Sequence, residues 1–152
     1  MIVKAMQEGD LDQVVKIEEQ LFSMPWTYEG FLGGMNQMGS IFLIAKMGEK
    51  VVGYLGMYCA FDEAEITNVG VDKKMWNQGI GQILMDAALK QARQEKIEHL
   101  ILEVRKSNTQ AIHLYKKTGF EEIGLRPGFY ELPREDGIVM KMNWNNWKEK
   151  IC

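Results

Sequence analysis

The chain has 152 residues, of which 46% are hydrophobic and 26% charged, and this predicts one globular domain that buries roughly two-thirds of its unfolded surface. The net charge of -3 argues against wrapping a nucleic-acid backbone. Two cysteines and two histidines argue against a disulfide framework or a zinc site, and the apolar runs are too short to span a membrane.

The N-terminal residues lack the apolar core and cleavage site of an export signal, so we expect a cytoplasmic protein. We expect a single domain over residues 1–152, with residues 144–152 as a C-terminal extension around Trp144 and Trp147. We further expect no metal, no nucleic-acid partner and no membrane contact, and a monomer or weak dimer.

The first half of the chain predicts a strand, two helices and an antiparallel meander. After a strand within residues 1–6, Asp10 and Gln13 form a capping box for an amphipathic helix, and Thr27 caps a short helix that Gly33-Gly34 ends. Three strands then follow, and a turn at Gly48-Glu49 joins the first two as a hairpin. Their ranges are 41–47, 51–59 and 63–71.

The second half predicts alternating helices and strands. A helix with one apolar side follows two glycines, Gly79 and Gly81. A capping box of Ser107 and Gln110 opens a further helix, which Gly119 closes. Strands are predicted at residues 99–105, 120–126 and 137–143. The fold class is therefore α/β with a mixed sheet (α+β mixed sheet), about seven strands and four helices, in which strands four and five are parallel.

The glycines mark the most informative junction. Two glycines at the start of a helix let the backbone approach a ligand, and the free helix N–H groups suit a phosphate or pyrophosphate. The third glycine of a dinucleotide signature is missing and no Gly-Lys-Ser/Thr follows, so we expect neither NAD nor ATP. Taken alone, the stretch also fits a plain tight turn.

Further motifs identify a family. The sequence Gln78-Gly79-Ile80-Gly81 is followed by Leu102-Glu103-Val104-Arg105, then by Ser107-Asn108, by Ala111 to Tyr115 and by Gly119-Phe120. In this order the motifs resemble the GNAT superfamily of acetyl-coenzyme A dependent N-acetyltransferases, and the resemblance covers nearly the whole chain. Within it, the chain is most similar to the ribosomal-protein alanine N-acetyltransferases of the RimI type, on residues 22–26, 67–71, 102–108 and 130–142.

The resemblance implies how the cofactor binds. Strands four and five splay apart near a bulge, and the pantetheine arm of acetyl-CoA pairs with the exposed backbone groups there, while an N–H near Val69 steadies the oxyanion. The pyrophosphate rests on the turn that begins the helix. The implied cofactor-binding residues are Val69, Gly70, Val71, Asn77, Gln78, Gly79, Ile80, Gly81, Gln82 and Asn108.

One position departs from the family motif. Trp76 stands where Gln or Arg is usual, which removes one side-chain contact to the cofactor. The cradle consists of backbone donors, so we expect binding to survive, with Lys73, Lys74 or Gln78 as substitutes.

Two residues are the candidates for catalysis. Glu103 interrupts an otherwise apolar strand, and the resemblance makes it the general base that deprotonates the incoming amine, directly or through a water. The alternative is an exposed strand-end carboxylate paired with a Lys or Arg. Tyr115 is either core packing or the acid that protonates the departing thiolate. Cys59 lacks a Cys-His pairing motif and is better explained as a small buried hydrophobe than as a nucleophile.

The resemblance implies a protein N-terminus as acceptor, namely the N-terminal alanine of small-subunit ribosomal protein eighteen. The aromatic segments 22–28 and 129–133 are predicted to border a peptide groove, and Asp62, Glu63 and Glu65 would attract a basic peptide. Two alternatives stay open. One is an acetyltransferase for a small amine, an antibiotic or a lysine side chain, and the other is a non-catalytic coenzyme A binding module.

Overall fold

The computed structural model describes residues 1–147, so the last five residues of the predicted C-terminal extension lie outside the described residues. The helices are α1 (Leu11–Leu21), α2 (Tyr28–Met35), α3 (Ile80–Gln94) and α4 (Thr109–Thr118). The strands are β1 (Ile2–Ala5), β2 (Ser40–Met47), β3 (Lys50–Ala60), β4 (Glu63–Val71), β5 (His99–Arg105), β6 (Phe120–Tyr130) and β7 (Glu135–Met142).

The seven strands form one sheet in the order β1-β2-β3-β4-β5-β7-β6. Strands β1 to β4 make an antiparallel meander, β4 and β5 are parallel, and β7 lies antiparallel between β5 and β6. The predicted mixed fold, with seven strands, four helices and one parallel pair, is confirmed.

Helices cover the two faces of the sheet unequally. On one face α1 and α2 pack over the meander, where Leu11, Val14 and Phe31 meet Tyr54. On the other face α3 and α4 cover the middle of the sheet, where Leu84 and Tyr115 share a larger core. Alternate side chains of β3 supply both cores, so all but the ends of this strand are buried. Within residues 1–147, no helix covers the face of β5, β7 and β6 opposite α4.

Several element boundaries lie where the sequence predicts them. Both β4 and β5 have the predicted bounds, and Thr27 caps α2 by accepting a hydrogen bond from the Gly30 amide at 3.1 Å. Gly119 ends α4 with φ of 124°, a conformation that favours glycine.

The predicted end of α2 was wrong, because the helix continues through Gly33-Gly34 to Met35. A Cβ at position 34 would lie 3.1 Å from a Phe42 ring carbon and 3.3 Å from a Trp26 ring carbon. The glycine therefore lets the helix pack closely on these two rings, and this packing outweighs its low helix propensity.

Both predicted capping boxes were also wrong. Asp10 accepts a hydrogen bond from the Gln7 amide at 2.9 Å, while the Gln13 side chain bonds the Glu49 carbonyl and the Val51 amide. Gln13 thus ties α1 to the β2–β3 hairpin, an interaction across 36 to 38 residues.

The cap of α4 is shifted by one residue. The Asn108 side chain accepts from the Ala111 amide at 3.1 Å, whereas the Ser107 amide is engaged by Glu135 at 2.7 Å. Asn is at least as good an N-cap as Ser, which explains why the structure uses the later residue.

The last two strands are longer than predicted toward their connection. β6 continues to Tyr130 and β7 begins at Glu135, with register irregularities between Glu122 and Gly124 and between Arg126 and Tyr130. These irregularities let Pro127 and Gly128 lie inside a strand, which a simple alternation pattern does not predict.

Candidate active site

The two parallel strands in the middle of the sheet separate at one end. Strands β4 and β5 pair from Glu63–His99 to Ile66–Leu102, and no further pair joins them, although β4 continues to Val71. Just beyond the last pair, the register between β3 and β4 shifts so that Thr67 is an extra residue. This bulge bends β4 away from β5. The predicted splay is therefore present, and we call the opening between Val69–Val71 and the end of β5 the fork.

The polar backbone groups that face the fork follow from the ladder with β3. The Asp72 amide donates to the Val52 carbonyl at 2.9 Å, which makes these opposed residues a hydrogen-bonded pair. Hydrogen-bonded and non-hydrogen-bonded pairs alternate in an antiparallel ladder, so Val69 and Val71 direct their N–H and C=O groups away from β3 and into the fork.

One of these groups has a partner in the chain itself. The indole N–H of Trp76 donates to the Val71 carbonyl at 2.8 Å. The carbonyl is thus held by a side chain rather than by a strand. The tryptophan that departs from the family motif closes one acceptor of the fork.

The glycine turn leads directly from the fork into α3. Asn77 and Gly79 have φ of 65° and 79°, a region that glycine adopts without strain, and a Cβ on Gly79 would meet nothing within 4 Å. Among the described residues, no carbonyl accepts a hydrogen bond from the amides of residues 77–82. These amides cluster at the positive end of a 15-residue helix, which favours an anion.

The side chains of this turn differ in exposure, and some of them stabilise the fold. Asn77 and Gln78 are exposed, whereas Ile80 is buried in the core under α3. The Gln82 amide bonds Asp86 at 2.9 Å and Thr118 at 3.2 Å, so its side chain ties α3 to α4. The amide donors at the helix start suit a pyrophosphate, and the backbone N–H and C=O groups that face the fork suit an arm that contains amides. Acetyl-CoA has both features.

Glu103 lies one residue beyond the last β4–β5 pair, at the edge of the fork. Its Oε1 accepts a hydrogen bond from the Arg126 guanidinium at 2.7 Å, and only 13% of its side chain is exposed. The structure therefore combines features of both sequence interpretations. The carboxylate has an arginine partner, but it is mostly buried and adjoins the fork rather than standing at an exposed strand end.

Tyr115 is buried on α4 on the other side of the sheet, with its ring 6.1 Å from that of Phe120. Burial raises the pKa of its hydroxyl well above the ordinary value of 10.0, with a smaller contribution from Tyr130. The hydroxyl therefore keeps its proton at neutral pH, as a proton donor must.

Tyr130 is a site residue that the sequence analysis named only as part of a groove-bordering loop. Burial, followed by the negative charge of Glu103, raises the pKa of Tyr130 to about 12. The Arg105 guanidinium lies 4.7 Å from the centre of its ring and bonds the Glu131 and Pro133 carbonyls. Tyr130 therefore lies near enough to both Glu103 and Tyr115 for electrostatic interaction with each.

A second opening lies beside the bulge on the α2 side of the sheet. It is a cavity of about 210 Å³ whose walls include Trp26, Phe42, Met57, Glu65 and Thr67. Burial, followed by the charge of Glu103, raises the pKa of Glu65. Trp26 and Glu65, both predicted to border the acceptor, therefore meet at this cavity, whereas Asp62 and Glu63 do not line it.

Other candidate groups have no role in this site. Burial raises the pKa of the partly buried Cys59 thiol, with a further contribution from Glu95, so the thiol is a poor nucleophile at neutral pH. Within residues 1–147, no three His, Cys, Asp or Glu side chains are arranged to hold a metal ion. In the same range, no helix is long and apolar enough to cross a membrane.

Trp144 and Trp147, from the predicted C-terminal extension, are packed against the domain. The Trp144 indole donates to the Glu98 carbonyl at 3.1 Å, and the Arg93 guanidinium lies 4.7 Å from the centre of a Trp144 ring.

Comparison with known proteins agrees with this geometry. The family model of the acetyltransferase (GNAT) family matches residues 10–120. A Bacillus subtilis protein, provisionally named a ribosomal protein bS18-alanine N-acetyltransferase, is 33% identical over 145 residues, which are 94% of this chain and 95% of that protein. The Escherichia coli K12 protein named ribosomal protein bS18-alanine N-acetyltransferase is 29% identical over 92% of this chain and 95% of its own length.

Solved structures show the same similarity. The crystal structure of the ribosomal-protein-S18-alanine N-acetyltransferase from Escherichia coli superposes with a TM-score of 0.86 at 27% identity, covering 93% of this chain and 92% of that one. The structure of Ard1 from Thermoplasma volcanium also gives a TM-score of 0.86, at 26% identity over 92% of this chain and 95% of that chain.

Proposed function

The chain belongs to the acetyltransferase (GNAT) family and is an acetyl-CoA-dependent N-acetyltransferase, and we propose that its acceptor is the N-terminal alanine of ribosomal protein bS18. The observation that carries this proposal is the similarity over more than nine-tenths of both chains to proteins named for this acceptor. The structure supports it with a cavity beside the bulge that Glu65 and the aromatic side chains of Trp26 and Phe42 line.

Acetyl-CoA would bind through the chain's backbone. Bound acetyl-CoA supplies an activated acetyl thioester. In the proposal the amides of residues 77–82 hold the pyrophosphate, and the fork-facing groups of Val69 and the amide of Val71 pair with the pantetheine arm. Asn108, whose carboxamide oxygen caps α4, would offer its remaining amide protons to the cofactor near the end of β5. Gly70 keeps the strand close to Tyr54, since a Cβ there would clash with the tyrosine hydroxyl.

The catalytic roles are assigned from position and protonation. Glu103 takes a proton from the acceptor ammonium, so that the nitrogen lone pair is free to attack the acetyl carbonyl. An α-amino group titrates near pH 8, so a carboxylate is a sufficient base at neutral pH. As the carbon–nitrogen bond forms and the carbon–sulfur bond breaks, Tyr115 gives its hydroxyl proton to the departing sulfur. The hydroxyl carries its proton at neutral pH, as this role requires.

The acceptor peptide would enter from the sheet face that α1 and α2 leave open. Trp26 and the cavity beside the bulge border one side, and Tyr130 with the segment after it borders the other. Glu65 contributes negative charge at this entrance, which favours a basic peptide.

The test is acetylation of a synthetic peptide that copies the N-terminus of ribosomal protein bS18. We expect thiol release from acetyl-CoA, and mass spectrometry that places one acetyl group on the alanine nitrogen. The matched control is the same peptide with its α-amine already acetylated, which must give no thiol.

Two other results would contradict the proposal and favour a different function. The acceptor class is wrong if the α-amine of the bS18 peptide is not acetylated, while a small amine is, or while the lysine of a peptide with an acetylated α-amine is. If calorimetry detects acetyl-CoA binding but no amine is acetylated, the chain is a coenzyme A binding module.

A further inference from the structure

Arg126 forms a hydrogen bond with the proposed base that the proposed proton transfer does not itself require. It lies on β6, the edge strand, and Glu103 lies on β5, with β7 between them. Its guanidinium crosses β7 to reach Glu103 at 2.7 Å. On β7, Arg126 pairs with Gly137 and Glu103 pairs with Val139, so the guanidinium runs diagonally over β7 from a position that has no side chain of its own.

Two neighbours hold the guanidinium in place. Its central carbon lies 4.2 Å from the centre of the Phe129 ring, a stacking distance typical of a cation–π contact. Gly137 also allows this ring to approach, since a Cβ at that position would lie 3.3 Å from Phe129 atoms. Arg126 is thus fixed between an aromatic ring and the Glu103 carboxylate, although about half of its side chain is exposed.

The contact divides the two oxygens of Glu103. Oε1 accepts the guanidinium hydrogen bond, while Oε2 has no hydrogen-bond partner within residues 1–147. A charge-assisted hydrogen bond of this length restricts the rotation of the carboxylate plane. One oxygen is therefore committed to Arg126 and the other is left to meet a donor in the cleft.

We propose that Arg126 is the positioning residue of the base: by holding Oε1 of Glu103 it presents Oε2 to the ammonium group of the acceptor. This inference rests on the proposed role of Glu103. In the step it serves, an N–H bond of the acceptor breaks, an O–H bond forms at Oε2, and the electron pair stays on nitrogen. The guanidinium remains protonated throughout and exchanges no proton.

Arg126 is expected to favour the proton transfer but to weaken binding of the acceptor ammonium. Its positive charge and that of the acceptor ammonium share one carboxylate, so they repel each other. Removing the guanidinium charge should therefore leave the acceptor's KM unchanged or lower it, while the loss of orientation lowers kcat. A purely structural residue would not give this split.

The experiment is a kinetic double-mutant cycle with Arg126→Gln and Glu103→Gln, measured on the bS18 peptide with the wild type in the same assay. We expect Arg126→Gln to lower kcat roughly tenfold, a part of the 10²–10⁴-fold that general-base catalysis contributes, with no rise in the peptide KM. In the Glu103→Gln background the same substitution should lower kcat less than twofold, because the group that it positions is gone. Arg126→Lys, which keeps a cation but loses the planar guanidinium, should fall between wild type and Arg126→Gln.

The control is Lys116→Gln, which removes a different ion pair. Lys116 lies 3.2 Å from Glu122, and both side chains are about half exposed. It should leave kcat and KM unchanged. The proposal is overturned if Arg126→Gln keeps kcat within twofold of wild type, or if its loss is as large in the Glu103→Gln background. A wild type without activity on the peptide contradicts the proposed acceptor instead, and the cycle is then run on the amine that it does acetylate.

Discussion

Replacing Tyr54 by Phe tests the buried polar contact beneath the acceptor side of the site. The Tyr54 hydroxyl donates to Glu18 Oε1 at 2.5 Å, and Glu18 Oε2 accepts from the Trp26 amide at 3.0 Å. Tyr54 is fully buried and Glu18 is 3% exposed, so water cannot replace the lost donor without a rearrangement. The carboxylate thus connects β3 to the segment between α1 and α2.

The magnitude follows from this burial. A hydrogen bond to a charged group contributes about 1.5–3 kcal/mol, and its loss leaves a buried carboxylate oxygen without a partner. We therefore expect Tyr54→Phe to lower the free energy of unfolding by about 2 kcal/mol. For a chain of this size, that corresponds to a fall in Tm of roughly 4–8 °C.

The loss should depend on pH with a defined sign. Burial raises the pKa of Glu18 above 4.5, and the Trp26 and Tyr54 hydrogen bonds oppose this rise. The folded state therefore binds the proton before the unfolded state does as the pH falls, so stability decreases as pH rises from about 4.5 through the folded pKa. Without the Tyr54 hydroxyl the folded pKa rises further. The deficit of Tyr54→Phe should consequently be larger at pH 8 than near pH 4.5.

Urea unfolding at several pH values measures this effect. Tyr58→Phe is the matched control, because Tyr58 is on the same strand but 38% exposed, and its substitution should change the unfolding free energy by less than 0.5 kcal/mol by the usual range for surface sites. A Tyr54→Phe deficit below that value, or one that grows toward acid pH, would refute the reasoning.

Three predictions concern the reaction. Glu103→Gln should lower kcat about a hundredfold at pH 7 and less above pH 9, where the acceptor amine is already neutral; a pH–rate profile checks this, and an equal loss at every pH contradicts it. Tyr115→Phe should lower kcat at least roughly tenfold with little change in the acetyl-CoA KM, as measured by thiol release; an unchanged kcat would assign Tyr115 to packing. Gly79→Ala should raise the acetyl-CoA KM because the φ of 79° costs an L-residue about 1 kcal/mol, whereas Gly9→Ala, at negative φ and in open space, should not.

Local patterns were sufficient for the elements that build the fork. The β-branched alternation of residues 63–71 and the apolar run at 99–105 predicted β4 and β5 with the bounds observed. The glycines of the turn and the start of α3 were also predictable, because a positive φ and a free helix end both leave a direct signature in the sequence.

Contacts between distant segments were not predictable from such patterns. Gln13 has the right spacing for a capping box, but its side chain bonds residues of a hairpin turn that lie 36 and 38 residues later. Trp76 could be identified as a departure from the family motif, yet only the structure shows its indole bonded to the Val71 carbonyl. The spacing of residues along the chain predicts contacts between sequence neighbours. It does not predict which distant strand packs against a given helix.

The pairing of Glu103 with Arg126 illustrates the same limit in the site itself. The β6–β7 hairpin could add to β5 through either strand, and only the order β5-β7-β6 puts two strand spacings, about 10 Å, between the two backbones. Both side chains are long enough to bridge this distance diagonally over β7, where Gly137 pairs with Arg126 and Val139 pairs with Glu103. The pairing of Glu103 with Arg126 therefore depends on the strand order and register of the hairpin, which the sequence alone does not contain.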